Sequence, residues 1–223
     1  DGFTITNKFV VPDEKVEIPV TKVWDDNENV AGKRPTRVTV KLTGSDGQKY
    51  TQEINATDNA VTGNANSWTY TFTDLPKYDD NGQEIIYTVS EEAVNTNDLK
   101  FYTNEGVTGD MTTGYTITNT FTVPEDTINL TVNKVWIDNT IQEQRRPGII
   151  VINVKAENSD IHAPEEVIAT YELNTKTENS HTFTNLPKYN KENGKEINYI
   201  VQEQEKTEGD LKFYKAEENT VEV

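Results

Sequence analysis

Apolar and polar residues alternate along this chain with a period of two, and the spacing of an amphipathic helix is scarce. The alternation predicts strands over Val16 to Trp24, Arg37 to Leu42, Lys49 to Ile54, Ser67 to Thr73, Ile85 to Glu91, Lys100 to Tyr102 and Tyr115 to Val123. A second series covers Ile128 to Trp136, Ile149 to Lys155, Val167 to Leu173, His181 to Thr184, Ile197 to Glu203 and Leu211 to Tyr214. Turn chemistry such as SDG, LPKYDDNG and GD separates the runs. About seven short strands per hundred residues with that punctuation predict an all-β sandwich.

Two sets of residues return at one offset. VTKVW at Val20 to Trp24 comes back as VNKVW at Val132 to Trp136, Arg34-Pro35 as Arg146-Pro147, Glu91 as Glu203 and Phe101-Tyr102 as Phe213-Tyr214, each 112 residues on. The LPKY block drifts by one residue, Leu75 to Leu186, and the longer turn NKENG against DDNG restores the register. Such a period marks a tandem pair of copies of one domain. The copies are out of phase with the ends, because GFTITNKFVVPDE at Gly2 to Glu14 matches GYTITNTFTVPED at Gly114 to Asp126. On this phase, residues 1–10 are the last strand of a preceding repeat, 11–123 a first repeat, and 124–223 a second repeat lacking its final strand. The parent protein is expected to continue in both directions. The short junction around Pro124 is expected to hold the repeats end to end with limited freedom.

A net charge of −17 over 223 residues argues against nucleic acid or an anionic membrane as partner, since either needs clustered Lys and Arg. No window approaches the run of about 18 apolar residues that a membrane span requires. Repeats of this size bury a core without metal or disulfide, and the chain has no cysteine. Acidic, Thr- and Asn-rich, cysteine-free β repeats are typical of exported Gram-positive surface proteins.

Alternation also assigns faces. Val16, Ile18, Val20, Lys22 and Trp24 share one face, which turns Lys22 inward; Ile85, Tyr87, Val89 and Glu91 share another, as do Tyr115, Ile117, Asn119 and Phe121. A lysine, a carboxyl and a carboxamide thus fall in phase with core residues of three strands, and burying any one of them alone costs several kcal/mol. Burial drives lysine toward the neutral amine and glutamate toward the neutral acid. Those states suit amide formation: Lys22 attacks the Asn119 side-chain carbonyl while Glu91, hydrogen-bonded to that carbonyl, shuttles the proton to leaving ammonia. No water, metal or cofactor takes part. The residues equally allow a buried Lys–Glu ion pair with Asn as a hydrogen-bonding third member.

VTKVWDD, RP, FTDLPKYDDNGQEIIYTVSE and GYTITNTF, in this order, resemble the B-type repeats of Gram-positive collagen adhesins and related pilins, the CnaB domains. The resemblance implies two tandem Ig-like β-sandwiches of the reverse-Ig, CnaB type. It also implies an intramolecular isopeptide bond from Lys22 to Asn119 beside a catalytic Glu91, with single-turnover chemistry and no enzyme activity. It further implies stalk repeats of a cell-wall-anchored, extracellular adhesin or pilus-like protein, next to neighbouring repeats, with a host extracellular protein engaged through another domain. The alternative is that the repeats are themselves a host-ligand-binding module.

The second copy keeps Lys134 and Glu203 in the same phase, but its matching Asn is absent from the chain. Lys134 must then find an Asn beyond Val223 or in another molecule. Asn7, in phase with Phe3, Ile5 and Phe9, is the candidate donor, and it implies head-to-tail self-association. The acidic turns Asp25-Asp26-Asn27-Glu28 and Asp79-Asp80-Asn81-Gly82 lack EF-hand spacing, are replaced in the second copy by IDNT and NKENG, and read as solvated turns rather than calcium sites. His162 and His181 occur in one copy only and read as solvent-facing or cross-strand packing residues. Trp24, Trp68 and Trp136 fit core or near-core positions over the crosslink better than a sugar platform.

Overall fold

The computed structural model describes residues 1–58, 61–95, 97–156 and 167–215. The chain forms two compact units, Asp1–Val123 and Pro124–Val223, each with its own core. The first unit contains β1 (Lys15–Asp25), β2 (Val38–Gly44), β3 (Lys49–Ile54), β4 (Val61–Asn64), β5 (Ser67–Pro76), β6 (Tyr87–Glu92), β7 (Tyr102–Asp110) and β8 (Gly114–Phe121). One sheet runs β4-β5-β1-β8-β7 and the other β3-β2-β6. Every pairing in this unit is antiparallel except β1 with β8, which run parallel.

The two sheets share one core. Ile18, Val20 and Trp24 of β1, Phe72 of β5 and Ile117 of β8 meet Val38, Val40 and Leu42 of β2 and Tyr87 of β6. Each fully buried side chain of this kind contributes about 1.5–3 kcal/mol relative to exposure. The strict alternation along β1 and β2 is therefore the pattern that makes a sandwich face. An extra residue sits in β5: it shifts register against β1 between Val16 and Ile18, opposite Asp74, whose φ is 59°. The second unit repeats the bulge with Asn185 at φ 58°. Asp and Asn tolerate the left-handed region better than other side-chain-bearing residues, and the extra residue lets both ends of the strand face the core.

The second unit contains β9 (Thr127–Asn133), β10 (Ile149–Ala156), β11 (Val167–Asn174), β12 (Ser180–Pro187) and β13 (Tyr199–Glu205), in sheets β11-β10-β13 and β12-β9. Strand pairing corrects the constant offset. Val38 and Ile150 are equivalent, 112 residues apart, yet their partners Ile54 and Leu173 are 119 apart, and Phe72 and Phe183 are 111 apart. The connection between β10 and β11 has grown while that between β11 and β12 has shrunk, so the two changes cancel in the motif spacing.

Several expected strands differ. Lys100 and Phe101 lie in a turn, and Tyr102 opens β7 instead of closing a strand. Leu211 to Tyr214 likewise forms no strand, β4 was not anticipated, and the strand expected to reach Trp136 stops at Asn133. The last difference has a physical cause. In β1 the residues from Val20 to Asp25 are held by parallel pairing with β8, and among the described residues β9 has no such neighbour. Residues 1–10 contain no strand, and Phe3, Ile5 and Phe9 are exposed.

Candidate functional site

Lys22 lies two residues before Trp24 on β1, and Trp24 pairs with Asn119 on the parallel β8. Both side chains therefore leave the same face of the larger sheet. Glu91 comes from the facing sheet, on β6 opposite Val40. The three meet in the core of the first unit, as the alternation predicts. The side chains of Lys22 and Glu91 are 0% and 1% exposed, and Asn119 is 1% exposed.

The geometry gives each Glu91 oxygen a separate neighbour. Oε1 stands 3.5 Å from Lys22 Nζ, and Oε2 accepts a 2.7 Å hydrogen bond from Asn119 Nδ2. Asn104 of β7 adds a second, longer donation to Oε2, at 3.3 Å. Glu91 Oε1 and Asn119 Oδ1 are buried without a hydrogen-bond partner. The expected hydrogen bond from Glu91 to the Asn119 carbonyl is thus replaced by one that the Asn119 amide nitrogen donates to Glu91 Oε2. A buried oxygen left without a donor costs about 1–3 kcal/mol. Lys22 Nζ donates to the Val23 carbonyl at 3.0 Å and sits 4.2 Å from the centre of the Trp24 ring. Burial pushes its pKa down to about 8, against the upward pull of Glu91. A substantial neutral fraction at mildly alkaline pH follows.

In the second unit Lys134 and Glu203 also meet, at 2.9 Å, but with side chains 19% and 21% exposed. The difference is the missing cover. Among the described residues no strand lies beside β9 as β8 lies beside β1, and Val135 and Ile137 beside Lys134 are exposed. Asn7 lies outside any strand and is exposed.

A neighbouring cluster escaped the sequence reading. Asp26 is buried rather than solvated. It accepts from Arg34 Nε at 2.8 Å, from Tyr102 Oη at 2.9 Å and from the Asn29 amide at 3.0 Å. Burial raises its pKa, and these hydrogen bonds outweigh burial to leave it below the ordinary carboxylate value. Asp138, Arg146 and Tyr214 repeat the arrangement. The signal was available: Asp26, Arg34 and Tyr102 all return 112 residues on, although the neighbouring change of Asp25 to Ile137 makes the turn look replaced.

The remaining candidates are structural. Trp24 and Trp68 are buried and touch edge to face, and Trp136 is half-buried. His181 stacks on Tyr171 across the strands, whereas His162 lies outside the described residues. Among the described residues no group of three or more His, Cys, Asp or Glu could hold a metal ion.

The Cna protein B-type domain family matches residues 18–120 and 130–222. The chain belongs to this family. Its two B-type domains are 36% identical over 204 residues to a collagen adhesin of Staphylococcus aureus, covering 91% of the chain and 15% of that protein. A solved structure of two B repeat units (B1B2) of the collagen binding protein (CNA) of Staphylococcus aureus is 34% identical, with a TM-score of 0.43. That match covers 85% of this chain and 44% of the other. A single B repeat unit (B1) of the same protein is also 34% identical, with a TM-score of 0.37, covering 88% of this chain and 89% of the other. The chain therefore spans a small part of the collagen adhesin and less than half of the two-repeat structure.

Proposed function

We propose that these domains are stalk repeats of an extracellular, cell-wall-anchored adhesin of a Gram-positive bacterium, and that the first crosslinks itself through Lys22 and Asn119. The observation that carries this reading is the meeting of amine, carboxyl and carboxamide in a dry core, with the two Glu91 oxygens divided between the two reacting groups. In this reading Lys22 Nζ attacks Asn119 Cγ. Glu91 Oε1 takes the proton from the amine, and Oε2 delivers one to Nδ2. The Nζ–Cγ bond forms, the Cγ–Nδ2 bond breaks, and ammonia leaves. The chemistry happens once per molecule and serves mechanics, since the bond ties β1 to β8 and carries tension that would otherwise unzip the strands.

Intact mass tests this. The chain is expected to weigh one ammonia less than its sequence, and Lys22→Ala, Glu91→Gln or Asn119→Ala to restore the full mass. A wild-type chain at full mass refutes the crosslink. The ligand in the relative's name belongs to that protein, and the buried site offers no surface to a host molecule. If Asn7 of another molecule supplies the carboxamide for Lys134, a covalent ladder appears on denaturing gels and vanishes in Asn7→Ala.

A further inference from the structure

The indole of Trp24 closes the site over Lys22, yet nothing polar holds it. Its ring nitrogen is buried without a hydrogen-bond partner, although a buried tryptophan usually anchors itself through that group. Its ring contacts do the work instead, one of them with Trp68, edge to face at 5.3 Å. Tyr102 meets the indole edge to face at 4.9 Å, and Arg34 lies 5.5 Å from its centre. Both of these residues are fixed by the buried carboxylate of Asp26, in a pair whose Arg34 and Asp26 side chains are 7% and 1% exposed.

The second unit shows that the arrangement does not need the Asn-bearing strand. Trp136 sits 4.2 Å from Lys134 Nζ, 5.5 Å from the Arg146 guanidinium and 4.7 Å from Tyr214, nearly the values of the first unit. No counterpart of β8 is present among the described residues there. Among the described residues the contacts are thus present without a strand equivalent to β8.

We infer that Asp26, Arg34 and Tyr102 are positioning residues for the crosslink, forming a clamp that holds Trp24 as a lid on Lys22 so that water is excluded from the amine before β8 docks. This rests on the crosslink reading for its purpose, but the lid itself is a physical arrangement that can be tested without the reaction. The charged and titratable groups bearing on Lys22 are Glu91 from β6, Arg34 from the loop after β1, and Asp26 at the end of that strand. Tyr102, from β7, acts on it through Trp24.

The test uses the full chain carrying Asn119→Ala, in which Lys22 stays a free amine. Trace labelling with acetic anhydride, read by peptide mass spectrometry from neutral to alkaline pH, gives the accessibility and the titration midpoint of Lys22. Tyr102→Phe keeps the ring and the charge but removes one of the hydrogen bonds that hold Asp26, and so loosens the clamp on the lid. It is expected to raise labelling about tenfold, the effect of losing one hydrogen bond to a charged group, and to move the midpoint up toward an ordinary lysine. Asp26→Asn decides between lid and electrostatics. Removal of its negative charge alone would lower the midpoint of Lys22, whereas loosening the lid raises it. Leu75→Ala, a core truncation at the far end of β5 opposite Val16, controls for lost stability. Tyr214→Phe with labelling of Lys134 repeats the measurement in the second unit, should the first unfold.

Unchanged labelling and midpoint in Tyr102→Phe, or a lowered midpoint in Asp26→Asn, overturns the clamp. Wild type one ammonia light with an unresponsive Lys22 refutes the clamp alone. Wild type at full mass with a responsive Lys22 refutes the crosslink and leaves the clamp standing.

Discussion

At the scale of single residues, the first unit buries two charges whose pH consequences have the same sign in different windows. Lys22 has a folded pKa of about 8 against an ordinary 10.5, so between these values the unfolded chain binds more protons and stability rises with pH. In Asn119→Ala, where the amine remains free, the full penalty of burying a charged lysine applies below pH 8. It is relieved as pH rises toward 10.5, by on the order of 3 kcal/mol. Denaturant titrations across that range are expected to show the first unit gaining stability; a flat or falling profile would contradict it. Asp26 acts in the same direction, in the acid range. Its folded pKa lies below the ordinary value, so its contribution is present above the normal carboxylate range and is lost as pH falls through the depressed value. Asp26→Asn is expected to flatten this acid limb.

At the scale of elements, everything distinctive about the site depends on β8 lying parallel beside β1. Gly114 begins β8 with φ at 87°, and a Cβ there would come within 2.8 Å of the Pro19 ring and 2.9 Å of the Pro19 carbonyl. Only glycine combines this conformation with so close an approach. Gly114→Ala should therefore cost about 1–3 kcal/mol and push the start of β8 away from β1. Slower ammonia loss together with a lower denaturant midpoint would be the expected result, and crosslinking at the wild-type rate would show that docking tolerates the displacement. The shortened β9 makes the same point without mutation, since it stops before Lys134 where, among the described residues, no parallel neighbour lies beside it.

At the scale of the whole molecule, a bond between Lys22 and Asn119 closes a loop of 97 residues (119 − 22). By chain entropy such a loop stabilises the fold by roughly 4–5 kcal/mol, which for a domain of about 100 residues corresponds to on the order of 20 °C in melting temperature. Because each unit has its own core, calorimetry is expected to show two transitions. Asn119→Ala should lower the transition of the first unit by that amount and leave that of the second, which holds none of these residues, in place. Equal melting of variant and wild type would show that the bond carries no thermodynamic load.

The sequence by itself determined the all-β class, the doubling, and which faces of β1, β6 and β8 turn inward. A period of two fixes the side of a strand on which each residue falls, and burial of the apolar members takes Lys22, Glu91 and Asn119 with them. It could not show which strands are neighbours. The parallel contact of β1 with β8, the division of Glu91 between amine and amide, and the shift from 112 to 119 residues between equivalent strands all depend on pairing across long stretches of chain. Asp26 belongs to the same class: in a run of Asp, Asn and Glu it looks like a solvated turn, and only the approach of Tyr102, 76 residues away, makes it a buried anchor. Local pattern sets the direction of a side chain, whereas the partner it meets is set by tertiary packing.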